Sequence, residues 1–219
     1  MSIEQNEILS TVQLTQLAQQ AMQHYPKQFQ GEIKIWCQSE NCTFMIQHGT
    51  QRYALRIHRP HYHSQHEIEG ELDWLEALNQ DTLTVPQAIT SKSGERVLSL
   101  NLDEQTQRHA VLFNWVEGEM PTVNVDPADF QKLGEITARL HQHSKNWHKP
   151  DDFQRIVWNH QSMVGPQGHW GDWHHAPHLA SQDYGIIDEA LAQIATQLEH
   201  FGQTADRYGL IHADLRLTN

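Results

Sequence analysis

The chain has few cysteines and no long apolar run. Its 219 residues include two cysteines, Cys37 and Cys42, which are too few for a disulfide framework. No stretch of about 18 consecutive apolar residues occurs, so no transmembrane span is expected. The first residues, MSIEQNEILSTVQ, lack the basic and apolar regions of a secretory signal. We therefore expect a cytoplasmic protein with reduced thiols and no membrane partner.

Positive charge is also scarce. Fifteen Lys and Arg residues stand against 27 Asp and Glu residues, which gives a formal net charge of -12. Such a surface repels phosphate backbones at long range, so a nucleic-acid partner is disfavoured. The charge does not exclude a nucleotide, because a cation and local dipoles can offset phosphate charge in a small cleft.

Histidine, in contrast, is abundant, with 17 residues. Most of them fall in three clusters, within residues 58–66, 141–148 and 169–178. Closely spaced imidazoles can share a cation, but no cluster is completed by cysteines or carboxylates at the usual ligand spacing. We interpret the clusters mainly as surface composition and keep a His-rich metal-binding protein as an alternative.

Apolar periodicity in the first half of the chain predicts helices mixed with strands. A helix is expected from Leu9 to Tyr25. Ser64 and Glu67 form an S-x-x-E capping box, which predicts the start of a second helix. Strand patterns and one turn complete this half, with strands at residues 33–37, 44–46, 53–57, 97–100 and 110–115 and a turn at 48–51.

The sequence of the second half of the chain predicts mostly helices. Asp126 followed by Pro127 predicts an N-cap and the first residue of a helix. Another long helix is expected from Tyr184 to Phe201, with Gly202 as its stop. The first helix carries an apolar stripe of Phe130, Leu133, Ile136, Thr137 and Leu140. In the second we expect an inward face of Ile187, Leu191, Ile194, Ala195 and Leu198. The intervening Trp-rich and His-rich segment is interpreted as packing aromatics, with an insertion at an acceptor site as the alternative.

The last eight residues, HADLRLTN, carry the strongest chemical signal. They place His212 two residues before Asp214, and Asn219 five residues after it, which is the spacing of a kinase catalytic loop. In such a loop the aspartate takes the proton of an acceptor hydroxyl and the asparagine reaches a Mg²⁺ ion on the ATP phosphates. The histidine would hold the backbone of the loop.

Together with four further segments, this motif resembles the family of aminoglycoside phosphotransferases and choline kinases. The similarity is greatest to the type II homoserine kinase and stress response kinase branch. By this resemblance, Arg56 in YALRIHRP reaches the nucleotide phosphates and Glu71 in HEIEGELDWLEAL holds Arg56. In LFNWVEG, the carbonyl of Asn114 and the amide of Val116 pair with adenine. The segment ITARLHQHS resembles the first large helix of the C-terminal lobe.

The resemblance implies an α+β, protein kinase-like fold with two lobes. We expect an N-lobe over residues 1–113 with a mixed antiparallel sheet and a crossing helix, a hinge over 114–118, and a mostly helical, incomplete C-lobe over 119–219. The implied activity moves the γ-phosphoryl group of ATP, with Mg²⁺, to a hydroxyl of a small molecule or of protein Ser or Thr. Homo-oligomers are also expected to be possible.

Three departures from the family pattern bear on this expectation. The turn over residues 38–43 contains no glycine, although Asn41 and Thr43 match the turn of the homoserine kinase-like branch. Arginine stands at position 56, where most of the family has lysine, and the two are not interchangeable. The family continues past Asn219 with a second metal-binding motif, so the resemblance implies a C-terminally truncated chain with impaired activity. A non-catalytic, nucleotide-binding pseudokinase-like module is therefore the alternative interpretation to an active phosphotransferase.

Overall fold

The structure is a computed structural model that describes residues 9–118 and 125–217. These residues fall into two compact units. The sheet unit comprises residues 9–118, 125–130, 147–155 and Leu217, and the helical unit comprises 131–146 and 156–216. The lobe boundaries expected from the sequence stay a prediction.

An antiparallel sheet organises the sheet unit. Its strands are β1 (Glu32–Gln38), β2 (Cys42–His48), β3 (Gln51–Ile57), β4 (Ala88–Ile89), β5 (Leu98–Asn101) and β6 (Gln107–Asn114). The order is β1-β2-β3-β6-β4, and β5 pairs with the first part of β6 while β4 pairs with its end. Gly49, with φ of +60°, sits in the predicted turn between β2 and β3. Strand β3 therefore lies inside the sheet, with a neighbour on each side.

Two helices cover opposite faces of this sheet. Helix α1 (Thr11–Gln23) packs with Leu55 of β3 in one apolar core, and helix α2 (Gln65–Gln80) packs with Val111 of β6 in another. Because side chains alternate along a strand, Leu55 and Ile57 face the α1 core while Arg56 faces the other side. The predicted crossing helix is thus α2, and it lies on the face that carries Arg56.

Local capping explains where α2 begins. The amide of Glu67 donates to Ser64 Oγ at 3.2 Å, and the amide of Ser64 donates to Glu67 Oε2 at 2.8 Å. The predicted capping box is therefore confirmed. This fixes the register of the first turn, and with it the face on which Glu71 projects.

The helical unit contains most of α3 (Pro127–Asn146), a short α4 (His160–Val164) and α5 (Ser181–Phe201). The amide of Ala128 donates to Asp126 Oδ1 at 2.9 Å, as the predicted N-cap requires. Gly202 follows α5 with φ of +79°, as expected for its stop. Among the described helices, none is both long and apolar enough to cross a bilayer.

The inward face predicted for α5 is half-buried at Ile187, Leu191 and Ala195 but wrong at Ile194 and Leu198, and the apolar stripe of α3 is only partly buried. Leu140 is buried, but Phe130 is 60% exposed, Ile194 44% and Leu198 47%. Periodicity correctly locates an apolar face on each helix. Within residues 9–118 and 125–217, however, no layer buries these side chains. In the sheet unit, Val12 and Ile35 are exposed for a related reason, because α1 and the edge strand β1 each keep one face in solvent.

Candidate active site

An ion pair between β3 and α2 forms the centre of the candidate site. Arg56 Nη2 donates to Glu71 Oε1 at 2.6 Å. The two side chains are 24% and 22% exposed, so water screens the pair only in part. The Arg56 guanidinium also lies 4.9 Å from the ring centroid of Phe113 on β6. Thus the two residues that the sequence predicted as partners are brought together.

Arg155 is a third member of this cluster that the sequence did not predict. Its Nη1 donates to the carbonyl oxygen of Glu67 at 2.6 Å and lies 3.7 Å from Glu71 Oε2. Glu71 therefore has an arginine at each carboxylate oxygen. Arg155 lies 84 positions beyond Glu71 in a segment without periodicity, so no local sequence pattern linked the two.

The two arginines set the protonation state of Glu71. Burial by itself would raise the pKa of this carboxyl group. The charge and hydrogen bond of Arg56, with smaller effects of Arg155 and His58, outweigh burial and lower the pKa of Glu71 to about 2. Glu71 is therefore an anion at any pH near neutrality, and it holds Arg56 by charge as well as by geometry.

His58 adds a buried neutral group beside this pair. It is 4% exposed, and both of its ring nitrogens are without a hydrogen-bond partner. Burial, followed by the charge of Arg56, lowers the pKa of His58 to about 3. Arg56 Nε is likewise a buried donor with no partner. Since Nε is shielded from solvent while the side chain is 24% exposed, a phosphate or carboxylate oxygen would meet Arg56 at another guanidinium nitrogen.

The turn between β1 and β2 is fixed by contacts with the segment after β3. The amide of Ser39 donates to the Asn41 carbonyl at 3.0 Å. Asn41 Oδ1 accepts from the amide of Arg59 at 3.0 Å, and the carboxylate of Glu40 pairs with the Arg59 guanidinium. The side chain of Asn41 therefore braces this glycine-free turn.

The predicted hinge follows directly from β6. The amide of Asn114 donates to the Gln87 carbonyl at 3.0 Å, and its side-chain Oδ1 accepts from the Gln87 amide at 2.6 Å. Val116 is partly exposed two residues later. Arg52 Nη2 donates to both oxygens of Glu117, at 2.6 and 2.5 Å, and its guanidinium lies 4.8 Å from the Trp115 ring centroid. These contacts order residues 114–117 at the end of β6.

Residues 212–216 of the predicted catalytic loop lie in the helical unit, and Leu217 is assigned to the sheet unit. The amide of Asp214 is 3.4 Å from His212 Nδ1, consistent with a weak hydrogen bond that shapes the loop. Ala213 between them has φ of +69°, a conformation that costs a non-glycine residue roughly 1–2 kcal/mol. Asp214 Oδ2 lies 3.1 Å from Arg216 Nη2. Asn219 lies outside the described residues.

Together the elements reproduce the order of a kinase N-terminal unit: a strand with a basic residue, a helix with its acidic partner, and an ordered segment after the last strand. A model of the phosphotransferase enzyme family (APH) matches residues 35–219. The chain belongs to this family. The resemblance stated from the sequence is thereby confirmed.

Solved structures give the same fold, and a curated kinase is similar in sequence. The structure of the microcompartment-associated aminopropanol kinase superposes with a TM-score of 0.82 and 39% identity, covering 94% of this chain and 63% of that one. Amicoumacin kinase hAmiN, solved with AMP-PNP, Ca²⁺ and Ami, gives a TM-score of 0.70 at 23% identity, covering 92% and 58%. Amicoumacin kinase of Bacillus subtilis is 22% identical over 194 residues, which are 86% of this chain and 54% of that protein.

These likenesses confirm the α+β, kinase-like fold predicted for this phosphotransferase-family chain. The chain spans between about half and two thirds of the length of each of the three relatives.

A metal site is less well defined than the ion pair. No group of three or more His, Cys, Asp or Glu side chains that could hold a metal ion occurs in the described part of this family member, the His clusters included. One predicted ligand, Asn219, falls outside that part. The described residues therefore fit an anionic ligand at Arg56, whereas they do not assemble a cation site.

Proposed function

We propose that this protein transfers the γ-phosphoryl group of ATP to a hydroxyl group of a small molecule. Membership of the phosphotransferase family carries the proposal, and the Arg56–Glu71 pair supports it at the level of side chains. A basic strand residue held by a helix carboxylate is the arrangement by which kinases orient ATP phosphates.

In this proposal the sheet unit binds the nucleotide. Arg56 contacts the phosphates through guanidinium donors that Glu71 does not use. Glu71 keeps the guanidinium in place and remains charged because of its low pKa. The carbonyl of Asn114 and the amide of Val116 pair with the adenine edge.

The helical unit supplies the acceptor chemistry. The Asp214 carboxylate accepts the proton of the acceptor hydroxyl. The hydroxyl oxygen bonds to the γ-phosphorus as the bond from that phosphorus to the ADP oxygen breaks. His212 shapes the loop that presents Asp214. Mg²⁺, when bound with ATP, would neutralise charge on the phosphate oxygens, and Asn219 is its proposed ligand.

For the acceptor we propose a small amino alcohol. The support is the 39% identity with the aminopropanol kinase over 94% of this chain. The net charge of -12 also favours a cationic acceptor over an anionic one, because it lowers the potential around the protein.

Phosphoryl transfer from γ-labelled ATP tests the activity and the acceptor together. Aminopropanol should be phosphorylated, whereas propanol and propylamine, which lack its amino and hydroxyl groups respectively, should not be turned over at a comparable kcat/KM. Asp214→Asn should lower kcat about 10²-fold or more, the usual effect of losing a general base. Asp206→Asn, an exposed change in the same unit, is the matched control.

A nucleotide-binding module without transfer is the second candidate, and ATP binding separates it from the first. Mg·ATP at 100 times its dissociation constant should stabilise the chain by about 2.7 kcal/mol. Stabilisation with no phosphorylated product from any hydroxyl acceptor would favour the second candidate. If Mg·ATP neither stabilises the chain nor yields a phosphorylated product, the proposal is contradicted. A cytoplasmic location and homo-oligomers stay predictions.

A further inference from the structure

The end of the segment Trp147–Arg155 lies against α2, with no space between the two backbones where Gln154 meets Gly70. A Cβ atom built on Gly70 would lie 2.4 Å from the carbonyl oxygen of Gln154. Real Cβ atoms do not approach a carbonyl oxygen so closely. Glycine at position 70 is therefore required by this contact and not by helix formation, to which glycine is unfavourable.

Arg155, at the end of the same segment, contacts the face of α2 that carries Gly70. Glu67, Gly70 and Glu71 are three and four positions apart, so they share one side of α2. Arg155 hydrogen-bonds the backbone of Glu67 and lies 3.7 Å from Glu71 Oε2. A backbone contact and a side-chain contact thus converge on one turn of α2.

The segment is also braced internally. The rings of Trp147 and Phe153 meet edge to face, with centroids 5.2 Å apart. The amide of Phe153 donates to the Pro150 carbonyl at 3.0 Å. A segment folded on itself in this way presents Gln154 and Arg155 to α2 in a defined geometry.

We propose that residues 147–155 act as a clamp on α2, in which Gly70 and Arg155 are positioning residues that hold Glu71 in register with Arg56. The clamp acts at the carboxylate oxygen that Arg56 leaves unused, so it restrains Glu71 without competing for Arg56. The effect on nucleotide binding rests on the proposed function, whereas the effect on Glu71 itself does not.

Gly70→Ala tests the clamp without removing any charge. The added methyl group forces the Gln154 backbone away, so the Arg56–Glu71 pair should loosen and the pKa of the Glu71 carboxyl should rise. This pKa is measured by carbon-detected NMR titration of the full chain, with Glu71→Gln to assign the resonance. Gly134→Ala is the matched control, because a Cβ at Gly134 of α3 meets no atom within 4 Å.

Arg155→Ala provides a second test should Gly70→Ala fail to fold. It should raise the pKa of Glu71 by about 1 unit, as expected for removal of a nearby opposite charge and its restraint. Arg155→Lys keeps the positive charge, so the pKa of Glu71 in this variant should lie between those of the parent and Arg155→Ala. Arg96→Ala is the control, since Arg96 also ties down α2, through Glu69 and Asp73 at 2.7 Å each.

An unchanged pKa of Glu71 in folded Gly70→Ala and Arg155→Ala proteins would overturn the clamp, as would an equal rise in the two controls. Mg·ATP affinity is then measured on the same proteins by calorimetry. We expect a loss of about 10-fold for Gly70→Ala and none for Gly134→Ala. If the parent chain itself fails to bind Mg·ATP, the proposed function is wrong. The titration of Glu71 still tests whether residues 147–155 hold Glu71 in place.

Discussion

His58 shows at the scale of one residue how the candidate site affects stability. Burying an imidazole with neither nitrogen paired carries a cost that is absent in water. Arg56, His63 and His109 all disfavour a proton on His58, and Glu71 favours one. Because burial and the arginine dominate, the folded protein keeps this ring neutral far below the usual pKa of histidine.

His58→Leu should flatten the acid side of the stability profile. In the parent, the unfolded chain gains a proton at His58 below about pH 6.5, whereas the folded chain gains it only near pH 3. Stability is therefore lost as pH falls through this window, by at most about 1.4 kcal/mol per pH unit for one group. The free energy of unfolding, measured with urea at pH 6.5 and pH 5, should decline about 1.6 kcal/mol less in His58→Leu than in the parent.

Exposed His141 on α3 provides the control for this comparison. His141→Leu should decline with pH as the parent does. An equal decline in the parent and His58→Leu would show that the ring of His58 is already protonated, or hydrated, in the folded protein.

Helix α2 is the element that ties the candidate site to the sheet, and its first turn depends on one serine. Ser64→Ala removes the acceptor for the Glu67 amide and should lower the free energy of unfolding by about 1 kcal/mol. Denaturant unfolding measures the loss. Ser181→Ala, at an exposed first-turn position of α5 that is not its cap, should change the same quantity much less. Equal effects would mean that the capping hydrogen bond contributes nothing measurable.

The elements differ in how far their sequence predicted them. The start of α2 and the Arg56–Glu71 pairing could be predicted, because a capping box is local and the pairing follows from a family resemblance. The Arg155 contact could not, since it joins positions 84 apart through a segment with no period. The burial of α5 was predicted wrongly at Ile194 and Leu198, because periodicity identifies an apolar face but contains no information on what covers it.

At the scale of the whole molecule, apolar burial is divided very unevenly. Among the buried hydrophobic residues of the described chain, Leu140 alone lies in the helical unit. The free energy of a local opening follows the apolar contacts that it breaks. The two units should therefore differ in local stability even though both consist of regular elements.

Hydrogen exchange should reveal this difference directly. Amides of β3 and β6 should exchange most slowly, and amides of α5 should exchange at least about 10-fold faster despite their helical hydrogen bonds, since packing supplies most of a helix's stability. Mass spectrometry of peptic fragments measures both regions in one experiment. Protection of α5 equal to that of β6 would contradict the uneven burial described above.

The edge-to-face contact between Trp36 and Trp115 has an optical consequence. The two indole rings meet edge to face with centroids 5.1 Å apart, and the Arg52 guanidinium lies over the second. Indole emission responds to nearby charge and to stacking, and Trp115 stands between the two residues proposed to contact adenine. The chain thus carries its own fluorophore at the proposed nucleotide edge, and the occupancy of that edge can be followed in unlabelled protein.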